Sequence, residues 1–102
     1  MQKQPTEVIF RKYKTQGDLI ALFPYEIESY LGEVSCYQHV GQHGNAHYPS
    51  CIQRTVPASD QEVAALKQEL EIYYDYKLIV IKRRSHKKFL RTYANIFHPN
   101  QN

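Results

Sequence analysis

The chain has 102 residues, 13 Lys+Arg against 10 Asp+Glu, 42% hydrophobic residues and a formal net charge of +3. That length accommodates one domain with a small core and leaves no room for two. The near-average apolar share, with only 4 Gly and 5 Pro, excludes disordered, collagen-like and low-complexity readings. The longest aliphatic run, Leu78-Ile79-Val80-Ile81, is far shorter than a membrane span, so no membrane is expected as partner. No apolar segment follows the polar first residues, so no secretory leader is expected. Two cysteines are too few for a secreted disulfide scaffold, and a cytoplasmic protein is the expectation.

Residues 7–14 are rich in β-branched and aromatic side chains, with Val8 and Phe10 on one face and Ile9, Arg11 and Tyr13 on the other. That pattern predicts a strand. Thr15-Gln16-Gly17-Asp18 predicts a turn, and residues 19–23, apolar on both faces, a central strand stopped by Pro24. The two make a β-hairpin. Residues 25–31 read as a loop or one helical turn. A third strand is expected over 33–40, a polar turn over 41–45, and a fourth strand over 47–56, with Pro49 marking an edge or a bulge.

Ser59 and Glu62 form an S-x-x-E capping box, which predicts a helix to about Tyr74 with Val63, Leu66, Leu70 and Tyr73 as its buried stripe. Residues 76–81 are again apolar on both faces and predict a central strand. A short helix is expected over 86–96, with Phe89, Tyr93 and Ile96 on one face. The order β-β-β-β-α-β with hairpin links predicts an α+β domain over 1–94. It has an antiparallel sheet of about five strands, the main helix packed on one face, and a frayed polar tail over 95–102.

Charge is unevenly distributed. Residues 1–75 hold all the acids and carry net −4, while residues 76–102 hold seven Lys+Arg, no acid, and carry +7. Lys82, Arg83, Arg84, Lys87, Lys88 and Arg91 supply six of these positive charges. So many like charges repel one another unless something anionic faces them. A nucleic-acid backbone is one such partner, with Phe89 and Tyr93 as stacking groups. An acidic protein is another. The third reading is a solvated basic tail, or one folded against the acidic helix of the same chain.

Cys36, His39, His43, His47 and Cys51 read C-x2-H-x3-H-x3-H-x3-C. Sulfur and imidazole at short spacing suit tetrahedral zinc. In a 33–40/47–56 hairpin, however, Cys36 would oppose Cys51 while His39 points to the other face, so one ion could not take all five. No metal or other cofactor is expected, and both cysteines are expected as free thiols packed as small apolar groups. His39 and His43, with Tyr37 beside them, remain a candidate pocket, in which a histidine could act as general base for Ser35 or Cys36. There is no glycine-rich phosphate loop, nucleophile elbow or paired-carboxylate motif. The nine tyrosines suit half-buried and interface positions, and Tyr73, Tyr74 and Tyr76 cannot all face inward.

The strings Val8-Ile9-Phe10-Arg11-Lys12, Gly17-Asp18-Leu19-Ile20-Ala21-Leu22-Phe23-Pro24 and Tyr37-Gln38-His39-Val40-Gly41-Gln42-His43 resemble a group of small proteins of phages and mobile elements of gut bacteria. The likeness extends to about Arg84. It implies an accessory protein of such an element and supplies no reaction, ligand or site. The leading expectation is therefore a non-enzymatic binding protein that contacts a nucleic-acid backbone or an acidic protein through its basic C-terminal segment. The alternative is a small enzyme or metal-binding protein built on His39, His43 and Cys36. A homodimer through an edge strand or the C-terminal segment is the third.

Overall fold

The computed structural model describes residues 5–38 and 41–99. Nine elements follow in order: β1 (Pro5–Tyr13), β2 (Leu19–Ile27), β3 (Glu33–Tyr37), β4 (His43–His47), α1 (Tyr48–Arg54), β5 (Thr55–Pro57), α2 (Asp60–Tyr73), β6 (Lys77–Val80) and α3 (His86–Phe97). Five strands form an antiparallel run in the order β4-β3-β2-β1-β5, and β6 adds to β1 in parallel. The fold is α+β, with the main helix α2 on one face of the sheet. Among the described residues no helix is long and apolar enough to cross a membrane.

The alternation in β1 divides the core. Val8 and Phe10 join Ala21, Phe23 and Tyr37 beneath Val63, Leu66 and Leu70 of α2. Ile9 joins Ile20, Leu22, Val34 and Cys36 on the other face, against Cys51 and Ile52 of α1. Successive strand residues point to opposite faces, so one strand feeds both layers. The expected turn closes the hairpin: Gly17 takes φ +75, and the Tyr13 N–H donates to the Asp18 carbonyl at 2.8 Å. Only glycine adopts that φ without steric cost.

The predicted helix is present with its capping box. Ser59 accepts from the Glu62 N–H at 3.1 Å, and Glu62 accepts from the Ser59 N–H at 3.0 Å. Glu62 also pairs with Lys12 of β1. Tyr73 is not in the buried stripe; it is 79% exposed. Tyr74 turns inward in its place, and Tyr76 stacks on Phe23 with centroids 5.3 Å apart. Asp75, at φ 56, lets the chain turn so that the Tyr76 N–H reaches the Leu70 carbonyl at 3.2 Å.

Four expectations are corrected. Pro24 does not stop β2. The register jumps from Phe23↔Ser35 to Ile27↔Val34, so Pro24 lies in a bulge where its missing N–H costs no ladder bond. Residues 47–56 are not one strand. β4 is His43–His47, and Pro49 sits in the first turn of α1, where its fixed φ and absent donor suit a helix start. The residues expected as a turn therefore lie partly in β4. β6 is not central: among the described residues it pairs only with β1, leaving Ile79 and Val80 46% and 44% exposed. Finally, α3 runs through Phe97, one residue past the expected helix, so residues 95–97 of the expected frayed tail are helical; residues 100–102 of that tail lie outside the described residues, and Ile96 is 47% exposed while Phe97 takes the inward position.

The capping box gives a pH-dependent contribution to stability. Hydrogen bonding to Lys12 and to Ser59 holds the Glu62 carboxyl at about 2, below its ordinary 4.5. A carboxyl depressed in the folded state stabilises above its unfolded value and loses that effect as pH falls through the folded one. Ser59→Ala should cost about 1 kcal/mol. The Tm gap between wild type and Glu62→Ala should be full at neutral pH and shrink as pH approaches about 2. Thermal melts by circular dichroism across pH test both.

Candidate functional site

The six basic residues expected to form one surface fall into two groups. Arg84 and Lys88 face the body of the protein. The Arg84 guanidinium lies between the rings of Tyr48 and Phe89, 3.9 and 3.8 Å from their centroids. Its Nη1 is buried and has no hydrogen-bond partner among the described residues, so its charge is met by the electron-rich ring faces. Burial lowers its pKa from the ordinary value. Lys88 pairs with Glu7 of β1 and lies 4.4 Å from the centroid of Tyr25. The Ser85 N–H donates to Tyr25 Oη at 2.8 Å, and Ser85 Oγ caps α3 by accepting from the Lys88 N–H at 3.2 Å.

These contacts fasten α3, which contributes no fully buried residue. Its inward side is a ladder of rings one turn apart: Phe89–Tyr93 at 5.9 Å and Tyr93–Phe97 at 4.6 Å, continued by Phe97 against Tyr30 at 6.5 Å. Phe89 and Tyr93, expected as stacking groups for bases, are thereby half-buried against their own protein. A ring pair and an exposed ion pair are each worth about 1 kcal/mol, whereas a cation held between two rings can reach about 2. Arg84 is thus one anchor of the helix, beside the Lys88–Glu7 pair and the Ser85–Tyr25 hydrogen bond.

Lys82, Arg83, Lys87 and Arg91 form the second group. All four are exposed, and among the described residues none has a carboxylate partner. Lys87 and Arg91 are four residues apart on α3, hence on one stripe of the helix. Lys82 and Arg83 lie in the segment leading into it. Four of the six basic residues are thus exposed, and two are engaged within the protein.

The second candidate, around the histidines, is also divided. His39 lies outside the described residues. Tyr37 and His43 are opposed in the β3–β4 register, their ring centroids 4.7 Å apart, and Tyr74 lies 4.9 Å from His43. Tyr37 is fully buried; its hydroxyl donates to Glu69 and accepts from the Gly41 N–H at 3.0 Å. Burial and Glu69 raise its pKa, which keeps it a neutral phenol. A shallow recess of about 550 Å³ adjoins it, lined by Tyr37, Gly41, Glu69, Tyr73 and Tyr74.

Cys36 and His43 both border a shallow recess of about 270 Å³, but they are not opposed in the register. Cys36 packs with Ile9, Ile20 and Leu22 on the other face and opposes Gly44, not Cys51. The expected pairing assumed a straight strand through residue 56, and α1 removes it. Both cysteines are free, and burial raises both thiol pKa values, which leaves them protonated and weakly nucleophilic. His47 engages Ser50 Oγ at 2.7 Å. Among the described residues no three His, Cys, Asp or Glu side chains are placed to hold a metal ion.

Sequence reasoning missed the residues that sort the cations. Glu7, Tyr25 and Tyr48 lie far along the chain from the basic segment and carry no local signal. The i, i+4, i+8 spacing of Phe89, Tyr93 and Phe97 is legible in the sequence, and Ile96 at i+7 competes with Phe97 for the same face. No family model matches the chain, and neither a curated protein nor a solved structure matches it.

The anchoring role of Arg84 predicts a local effect. Arg84→Ala should speed amide hydrogen exchange across α3 by about tenfold while the β1–β2 core amides keep their protection. Uniform acceleration in both regions, or none in either, would contradict it.

Proposed function

We propose that this is a non-enzymatic binding protein that holds a nucleic-acid backbone against the outward side of α3 and the segment before it. The observation that carries the reading is the set of four outward cations, Lys82, Arg83, Lys87 and Arg91, in a stretch of chain with no acid after Asp75. Lys87 stands in the first turn of α3, where the helix dipole disfavours a cation and an anion at the surface offsets the cost. An accessory role in a phage or mobile element, implied by the resemblance, belongs to the same proposal.

Phosphate contacts make binding salt-dependent, with a logarithmic slope of about −0.9 per neutralised phosphate on duplex DNA. Four contacts give a slope near −3.6, or about 10²-fold weaker binding between ~50 and ~200 mM salt. Fluorescence anisotropy on a mixed-sequence duplex of about 20 base pairs should show this dependence. Lys87→Ala/Arg91→Ala should flatten the slope by about 2, and Lys14→Ala, in the β1–β2 turn, should leave it unchanged. Absence of binding at ~50 mM salt together with capture of polyglutamate would assign the surface to an acidic protein instead.

A further inference from the structure

We infer that α3 is a major-groove helix, and that the nucleic acid bound is duplex DNA whose base edges meet Arg91 and Asn95. The inference rests on the backbone-binding reading above and adds the groove, the duplex and the two residues that read sequence.

The two sides of α3 differ in chemistry. The three six-membered rings of the helix point inward: Phe89, Tyr93 and Phe97 form the ladder, and Arg84 covers a face of Phe89, while the imidazole of His86, at the first position of the helix, is exposed. The outward side therefore offers no row of successive rings for base stacking, which is what holds single strands on such surfaces. The outward side carries Lys87, Leu90, Arg91, Ala94 and Asn95, all exposed. Lys87, Arg91 and Asn95 recur at four-residue spacing and lie on one stripe, about 6 Å apart along the axis.

Size and position fit the groove. Twelve residues make a rod about 18 Å long, and the major groove of B-form DNA, about 12 Å wide, admits an α-helix. None of α3 is buried, and its contacts with the body come from its inward side, so the outward side can enter a groove without loss of those contacts. No carboxylate lies on α3 or after it to repel phosphates.

The side chains then divide by reach and donor pattern. A guanidinium pairs with the two acceptors of guanine, and a carboxamide pairs with the acceptor and donor of adenine. Arg91 and Asn95, one turn apart, can address bases within about two steps of each other. Leu90 and Ala94 offer methyl contacts of the kind thymine accepts. Lys82 and Arg83 before the helix and Lys87 in its first turn contact phosphates, which position without reading sequence; on unrelated DNA Arg91 contacts a phosphate as well, and on the enriched site, where it turns to guanine, three phosphate contacts give a salt slope of about −2.7.

Selection from a randomised DNA duplex pool tests the assignment, with affinities then measured on the enriched sequence and on an unrelated one. The expected result is an enriched site containing guanine and adenine. Asn95→Ala, which removes no charge and leaves a helix-favouring residue, should weaken binding to that site at least about tenfold and leave binding to unrelated DNA unchanged. An RNA duplex of the same sequence, whose major groove is too deep and narrow to read, should bind at least about tenfold more weakly. Binding without enrichment, or equal affinity for the RNA duplex, would overturn the groove assignment and leave backbone binding standing. Enrichment of a site indifferent to Asn95→Ala would remove Asn95 as a reader and overturn the assignment as stated. Absence of binding to any duplex would overturn the parent reading as well.

Discussion

Strand β1 has both faces buried and three strand partners, and the rest of the molecule is arranged around that constraint. Val8 and Phe10 need cover on one side of the sheet and Ile9 on the other. One edge of β1 is taken by β2. The opposite edge is shared, with β5 paired antiparallel at Arg11–Tyr13 and β6 paired parallel at Pro5–Val8. Joining two strands that lie end to end on one edge requires a crossover, and α2 supplies it by passing over the Val8 and Phe10 face. The other face is closed by α1, whose C-terminal carbonyls accept from Arg11 of β1: its Nη2 reaches the Ile52 and Thr55 oxygens at 3.2 and 2.8 Å. A cation at that end of a helix also suits its dipole.

The position of α3 follows from where β6 ends. The Ile81 N–H donates to the Val8 carbonyl at 2.9 Å, and Ile81 packs with the Ile9 layer. The chain therefore leaves the sheet on the face where Tyr48, Tyr25 and Glu7 stand. Arg84 and Lys88 meet those groups, and the helix between and beyond them is laid down with its rings inward. This divides the basic segment. Cations whose side chains point back to the body are satisfied by rings and a carboxylate; those pointing away are left facing solvent. The same contacts that secure the helix also decide which of its cations are exposed.

Local features were read correctly where a short run of residues decides the outcome. The capping box of Ser59 and Glu62, the Gly17 turn and the alternation in β1 each act through neighbours within a few residues. Errors came where a residue type has two uses. Pro49 ends a strand or begins a helix, and only the cover needed over Ile9 and Val34 selects the helix. Pro24 stops a strand in a regular ladder and is tolerated in a bulge, and the bulge is set by β3. The apolar run over 78–81 reads as central from composition. It is an edge because β6 pairs with β1 and, among the described residues, with nothing else. The candidate pocket suffered similarly: the Cys and His spacing depended on a hairpin register that α1 abolishes, whereas Tyr37 and His43 stayed together because they are opposed across β3 and β4.

Sequence alone determined that the chain is electrically divided, with all its acids before residue 76 and seven cations after it, because charge counts along a segment need no coordinates. It also determined the capped helix and the first hairpin, whose hydrogen bonds close within a few residues. Tertiary structure alone decided which cations turn to the body of the protein and which turn to solvent. Lys88 finds Glu7 across 81 positions of chain, and Arg84 finds Tyr48 only after the sheet has brought α1 alongside. Contacts at such separations depend on the whole fold, and no local pattern encodes them.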